Sequence, residues 1–457
     1  MSFASGRSRW SDVWLVTGSR AVSTCGDFLA ATALTLALQS AGAGGLAVSG
    51  LMLAATAPLV ALAPLTGRLA DRVDSRLLLV VAGLGQATAC LALAYASHPA
   101  LVIALVALLA SGLAVTQPVL SALVPAMVRA EDLPRAAALN QTAGTLGALA
   151  GPALAGVLVG GFGTRLPLLL DAASYLALVA AALLIRTRRG GSRRSDPATA
   201  PGTSAAPAVA VAWRLRGDPM LVAMIVTIAG VIAAVGAINV VEVFFIRETL
   251  HSSTTMYGLV TGSWTLGILV GAWLFARLAR RLVDDRRLLV GYLVLLAGCC
   301  LMILLSAAVP SALLLVPVWL LGGVGNGGAN VFDNVLLARR VPEASRGRAY
   351  AALGGSVQGA SMVGFLLGGL LLEAATPRSL VAGCGVAGLL VIALVVPSVT
   401  RAVRAARAPV GVPPAGPAEA PALRPGGVAE GGPVDPAASA PRQVAAGAEL
   451  ATHLPSP

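Results

Sequence analysis

Twelve apolar stretches, each long enough to cross a lipid bilayer as a helix, constrain this chain more than any other feature of its 457 residues. A hydrocarbon core of about 30 Å needs about 20 apolar residues at 1.5 Å per residue. The stretches at 13–38, 46–70, 76–96, 99–123, 136–160 and 166–185 meet that length, as do those at 219–245, 256–279, 288–307, 312–337, 349–373 and 379–399. In lipid every backbone polar group must be paired within the protein, which helices of this length achieve segment by segment. The expectation is an all-α membrane protein. Composition agrees: 57% of residues are apolar and 11% charged, against about 25% charged in soluble domains. Aromatic residues make up 4%, so Ala, Leu, Val and Gly supply the apolar content and helices are expected to pack closely through small side chains.

The loops carry the charge. No lysine occurs, and the net charge of +12 rests on arginine. With the N-terminus inside, the inner loops hold Arg72 and Arg76, Arg129 and Arg135, the cluster from Arg186 to Arg216, Arg280 to Arg287, Arg339 to Arg348, and Arg401 to Arg407. The outer loops keep Arg165, Arg247 and Arg378. That asymmetry predicts a multi-pass protein of the cell membrane with both termini cytoplasmic, and it explains the basic balance without nucleic acid. The first apolar run is too long for a signal peptide and contains Arg20 and Asp27, so it is expected to stay in the mature chain. The five cysteines all lie in apolar runs, which argues against a disulfide framework or a metal site.

The expected organisation is a cytoplasmic N-terminus (1–12), a six-helix bundle (13–185), an Arg-, Pro- and Gly-rich linker (186–217), a second six-helix bundle (218–400) and a disordered cytoplasmic tail (401–457). The halves echo one another. GRLADRVDSRLLLV from Gly67 recurs as ARLARRLVDDRRLLV from Ala276, and GPALAGVL from Gly151 as GFLLGGLL from Gly364. Parallel repeats of this kind place a binding site between the halves near mid-membrane.

Ionisable groups inside spans cost about 2.5 to 3.5 kcal/mol at mid-helix and are rarely idle. Asp27 lies roughly 21 Å along the first span from Val13, where a carboxylate can take and release a proton or hold substrate; a structural hydrogen bond is the alternative. Arg20, two turns earlier, is either its counter-ion or snorkels to the surface. Glu242, a proton-coupling candidate with Asp27 and Arg20, and Asp171 fall toward the outer ends of their spans, where an interfacial role is the competing reading. Gln117, Asn239, Asn330 and Asp333 are cavity candidates, with Gln117 and Asn330 at matching repeat positions and Asn239 near the repeat equivalent of Asp27. In the fifth span Gly147 and Gly151 share a face, and Pro152 frees a carbonyl before Gly156.

The polar run Gly67, Leu69, Ala70, Asp71, Arg72 and Arg76, in a six-plus-six layout, resembles the loop 2-3 signature of the major facilitator superfamily. RAVSTCGDFLAATAL, LVPAMVRAEDLPRAAALN and LLLDAASYLAL resemble its macrolide-efflux branch of drug:proton antiporters. The resemblance implies the major facilitator fold, two pseudo-symmetric six-helix bundles. It also implies a gating motif, Gly67, Asp71, Arg72 and Arg76, in which Asp71 faces the start of the eleventh span near Arg346 to Ala349. The second half carries Arg280 where the first has Asp71, so the acidic partner is present once. Gly147, Gly151, Pro152 and Gly156 resemble the antiporter signature of exporters, with Ala155 in place of a usual glycine. The fourth span lacks the Arg that several drug:proton antiporters carry there.

No enzyme is expected. His98, His251 and His453 are far apart, and no phosphate-binding loop with lysine exists. Neither cofactor nor metal is called for. The expectation is a monomeric secondary transporter exchanging protons for an amphipathic small molecule, such as a drug or siderophore-like metabolite. Uptake or lipid flipping by the same fold, and a non-transporting scaffold or sensor, remain open.

Overall fold

The computed structural model describes residues 8–129, 131–187 and 215–405, without the side chains of 67, 70, 71, 216, 343, 344 and 398–405. The described chain is helical, and twelve of its segments have the length and hydropathy to cross a membrane. The first half runs α1 Trp10–Ser40, α2 Gly44–Ala61, α3 Ala63–Arg72, α4 Ser75–Leu93, α5 Pro99–Met127, α6 Leu133–Phe162 and α7 Arg165–Leu184. The second runs α8 Pro219–Val235, α9 Ile238–Phe244, α10 Thr254–Arg281, α11 Asp285–Ser306, α12 Ala312–Arg340, α13 Glu343–Leu371 and α14 Pro377–Ala405.

Local chemistry sets the boundaries. Asp74 caps α4 by accepting from the backbone N–H of Arg76 and Leu77 at 2.8 and 3.2 Å. Asp284 caps α11 in the same way through Arg286 N–H at 2.9 Å, so the repeat preserves a helix start. Asp218 accepts from Met220 and Leu221 N–H at the start of α8.

Several expected boundaries change. The second span is not one rod: it breaks at Leu62, between Pro58 inside α2 and Pro64 in the first turn of α3. The charged stretch from Gly67 to Arg72 is consequently helical rather than a loop, and only Val73 and Asp74 interrupt it before α4. The seventh span is also broken, at Gly236, and ends in a π turn at Phe245–Thr249. Residues 401–405, expected in the tail, continue α14, while the rest of the tail and most of the linker lie outside the described residues.

Three buried apolar clusters hold the molecule. One lies within the first half (Val13, Leu79, Leu123, Tyr175), one within the second (Leu221, Leu288, Tyr292, Phe332), and the third joins the halves (Leu34, Val48, Val240, Phe245). Outside them, Val81, Leu183, Val294 and Leu394 stay exposed, an apolar girdle suited to lipid tails.

Candidate functional site: a cavity between the two halves

Contacts between the halves gather at one face. A Cβ on Gly156 of α6 would meet the Thr254 carbonyl at 2.7 Å and Gly258 Cα of α10 at 3.0 Å. On the other side of the molecule Ser49 Oγ of α2 donates to the Phe365 carbonyl of α13 at 2.7 Å, and Gly45 lies against Leu372 and Gly369. Gln39 Nε2 donates to Glu248 Oε1 at 3.0 Å above them. This face is sealed by backbones in near contact, possible because the meeting residues are glycines.

The arginine-rich face differs. Its described polar contacts stay within one half: Arg76 Nη2 donates to the Ile185 carbonyl at 2.6 Å, and Thr187 donates to Asp12 from its N–H and its hydroxyl. In the second half Arg340 bridges Asp218 at 2.7 Å and Asp285 at 3.1 Å. A Cβ on Gly347, Gly354 or Gly355 of α13 would meet nothing within 4 Å. Arg72 is exposed at the end of α3. The side chains of Gly67 and Asp71 lie outside the described residues, and so does any contact they make with α13.

Between these faces lies a cavity of about 610 Å³, within the range usual for small-molecule sites. Phe28, Thr32 and Thr35 of α1, Pro152 of α6, Tyr257, Trp264 and Ile268 of α10, and Trp319 and Asn326 of α12 help line it. Asn239 and Glu242 enter from α9. Glu242 is 9% exposed, and the Tyr257 hydroxyl donates to its Oε1 at 3.0 Å. Trp264 and Trp319 meet edge to face with centroids 5.7 Å apart.

The antiporter-type helix uses two surfaces. Gly147 and Gly151 press on α1, where added Cβ atoms would lie 2.5 Å from the Ala21 carbonyl and from Phe28 Cβ. Gly156 faces α10, and the Pro152 carbonyl sits 2.5 Å from where a Cβ on Gly258 would be. Pro152 therefore stands where cavity and seal meet.

Asp27 points away from the cavity lining, into the first half. Its carboxylate accepts from the Tyr175 hydroxyl of α7. Arg20 is not its hydrogen-bonded partner; its Nη1 reaches Ser121 Oγ of α5 at 3.5 Å. Asp171 is 0% exposed, enclosed by protein, and it accepts from Cys90 Sγ and Ser174 Oγ, each at 3.1 Å. A Cβ on Gly26 would collide with Asp171 Oδ1. Asp27, Tyr175, Asp171 and Cys90 thus form one polar cluster behind the α1 wall.

On α12, Asn330 Nδ2 donates to Asn326 Oδ1 at 2.9 Å, and Asn334 Nδ2 donates to the Asn330 carbonyl and to Asp333 Oδ1. This ladder leaves the cavity at Asn326 toward the arginine-rich end. Asp333 is buried in the second half, and Gln117 and Asn330 are exposed; none of the three is among the lining residues.

The model of the transmembrane secretion effector family, within the major facilitator superfamily, matches residues 8–414. The chain belongs to that family. A bacterial homologue of the human lysosomal transporter Spinster in an inward-facing, unoccupied state has the same fold: TM-score 0.65, 15% identity, 88% of this chain and 98% of that one covered. The nucleoside transporter NupG gives 0.63 at 15% identity over 86% and 99%, and the peptide transporter POT 0.67 at 15% over 88% and 96%. At these identities the likeness shows the fold alone. No match is found among the curated proteins. The chain is thus a membrane protein of the major facilitator fold, in a family of transporters.

Sequence reasoning missed Tyr175, Cys90 and Tyr257 as partners of the buried acids. The signal for one of them was present: Tyr175 lies four residues from Asp171 on one helix face, so both turn toward the same neighbours. It also passed over Gln86, 1% exposed against Gly112, with neither amide atom paired.

Proposed function

We propose that this chain exports an amphipathic small molecule in exchange for protons, by rocking of its two halves around the central cavity. The observation that carries the reading is the cavity itself, sealed at one face by glycine backbones and flanked by buried carboxylates. With both chain ends in the cytoplasm, as the arginine distribution implies, the sealed face is extracellular and the conformation is the one from which an exporter loads. The Gly147, Gly151, Pro152 and Gly156 run supports export, because it ties the α1 wall to the seal. Asp27 is the proton carrier in this reading: protonation weakens its hold on the Tyr175 hydroxyl and so loosens α1 against α7. Asp71, at the end of α3, joins the start of α13 when the arginine-rich face closes.

Asp27→Asn in proteoliposomes tests the coupling. Substrate-driven proton movement should vanish while the protein still inserts and substrate still binds. Proton movement at the wild-type rate would reassign the carrier.

A further inference from the structure

The cavity wall contains one carboxylate, Glu242, and neither arginine nor histidine among its lining residues. Two basic groups on neighbouring segments donate elsewhere, and neither is among the lining residues. Arg247 donates to the Ser252 carbonyl at 2.5 Å, and Arg378 donates to the Ala307 carbonyl at 2.6 Å while stacking over Phe245. The rest of the wall is apolar, hydroxyl-bearing or aromatic. From this charge pattern we infer that the cavity selects lipophilic cations, molecules with one positive charge set among aromatic or alkyl groups, and rejects anions of the same size.

The inference rests on the reading of the cavity as the substrate site. In a water-poor cavity a charge is attracted or repelled far more strongly than in bulk solvent. Tyr257 satisfies one oxygen of Glu242 and fixes the carboxylate against α10; no second donor is found for it among the described residues. A cation takes the place of the carboxyl proton and completes that arrangement, whereas an anionic chelator adds a like charge beside the ionised carboxylate. Trp264 and Trp319, both in the wall, supply ring faces that attract a cation through the same sign of field. Glu242 then has a role distinct from that of Asp27, which lies behind the wall with Tyr175.

The test uses two ions of one shape and opposite charge, tetraphenylphosphonium and tetraphenylborate. Each is dialysed to equilibrium against the full chain in neutral phosphatidylcholine nanodiscs, with protein-free nanodiscs subtracted. The phosphonium should bind about tenfold or more tighter than the borate, as one buried counter-charge implies. Glu242→Gln, which keeps side-chain length and a partner for Tyr257, should bring the two within about threefold. Borate binding as tight as phosphonium binding, or a preference untouched by Glu242→Gln, overturns cation selection and leaves the cavity reading standing. Saturable binding of neither ion overturns both. The wild-type comparison decides even if the variant fails to fold.

Discussion

At the residue scale the polar cluster behind α1 depends on a missing side chain. Asp171 occupies the space that a Cβ on Gly26 would need, so Gly26→Ala must push α1 from α7 or displace a carboxylate already bonded to Cys90 and Ser174. Overpacking of this kind costs about 1–3 kcal/mol, and the melting temperature in detergent should fall. Gly18→Ala, on the same helix with nothing within 4 Å, should leave it unchanged. Asp27 and Asp171 were visible in the sequence as charges inside apolar runs. Their partners were not, because Cys90 lies 81 residues and Tyr175 148 residues from the acid each one serves, and helix rotation in the bundle decides which faces meet.

At the element scale the crossing of α6 and α10 is the hinge region to perturb. Gly258 faces the Pro152 carbonyl and Gly156 Cα across the seal. Replacing it with Leu leaves no room for that approach, so the halves should separate there. Spin labels at Gly161 and Ser252 should report a longer distance in Gly258→Leu than in the parent, with helical content unchanged. The twelve spans were legible because length and hydropathy are properties of a segment alone. The break at Leu62 was also written in the chain, as Pro58 and Pro64, yet an unbroken apolar count passes over it. The capping acids Asp74 and Asp284 stand among the loop charges, and an Asp just ahead of an apolar run is a helix start that the sequence also shows.

Across the whole molecule the two faces are built from different materials. Gly160→Cys with Thr255→Cys, in a background without Cys25, should cross-link across the seal, since a Cβ on Gly160 would lie 3.3 Å from Thr255 Oγ1, within disulfide reach. Transport should stop on oxidation and return with reductant. Asp71→Asn should slow transport while insertion into the membrane stays normal, measured as flux per inserted molecule; loss of insertion would return that stretch to a topological anchor. The pairing of halves was legible from the repeat, whereas the face that closes was not, because it depends on glycine contacts between residues more than 100 positions apart, such as Gly156 and Gly258. The seal itself consists largely of backbone against backbone, with Gln39 to Glu248 as its charge-bearing contact. Mobile ions screen charges and leave such contacts almost untouched. In the proposed cycle the opposite face brings arginines of both halves toward one another as it closes. Ionic strength should therefore act on one door and not on the other.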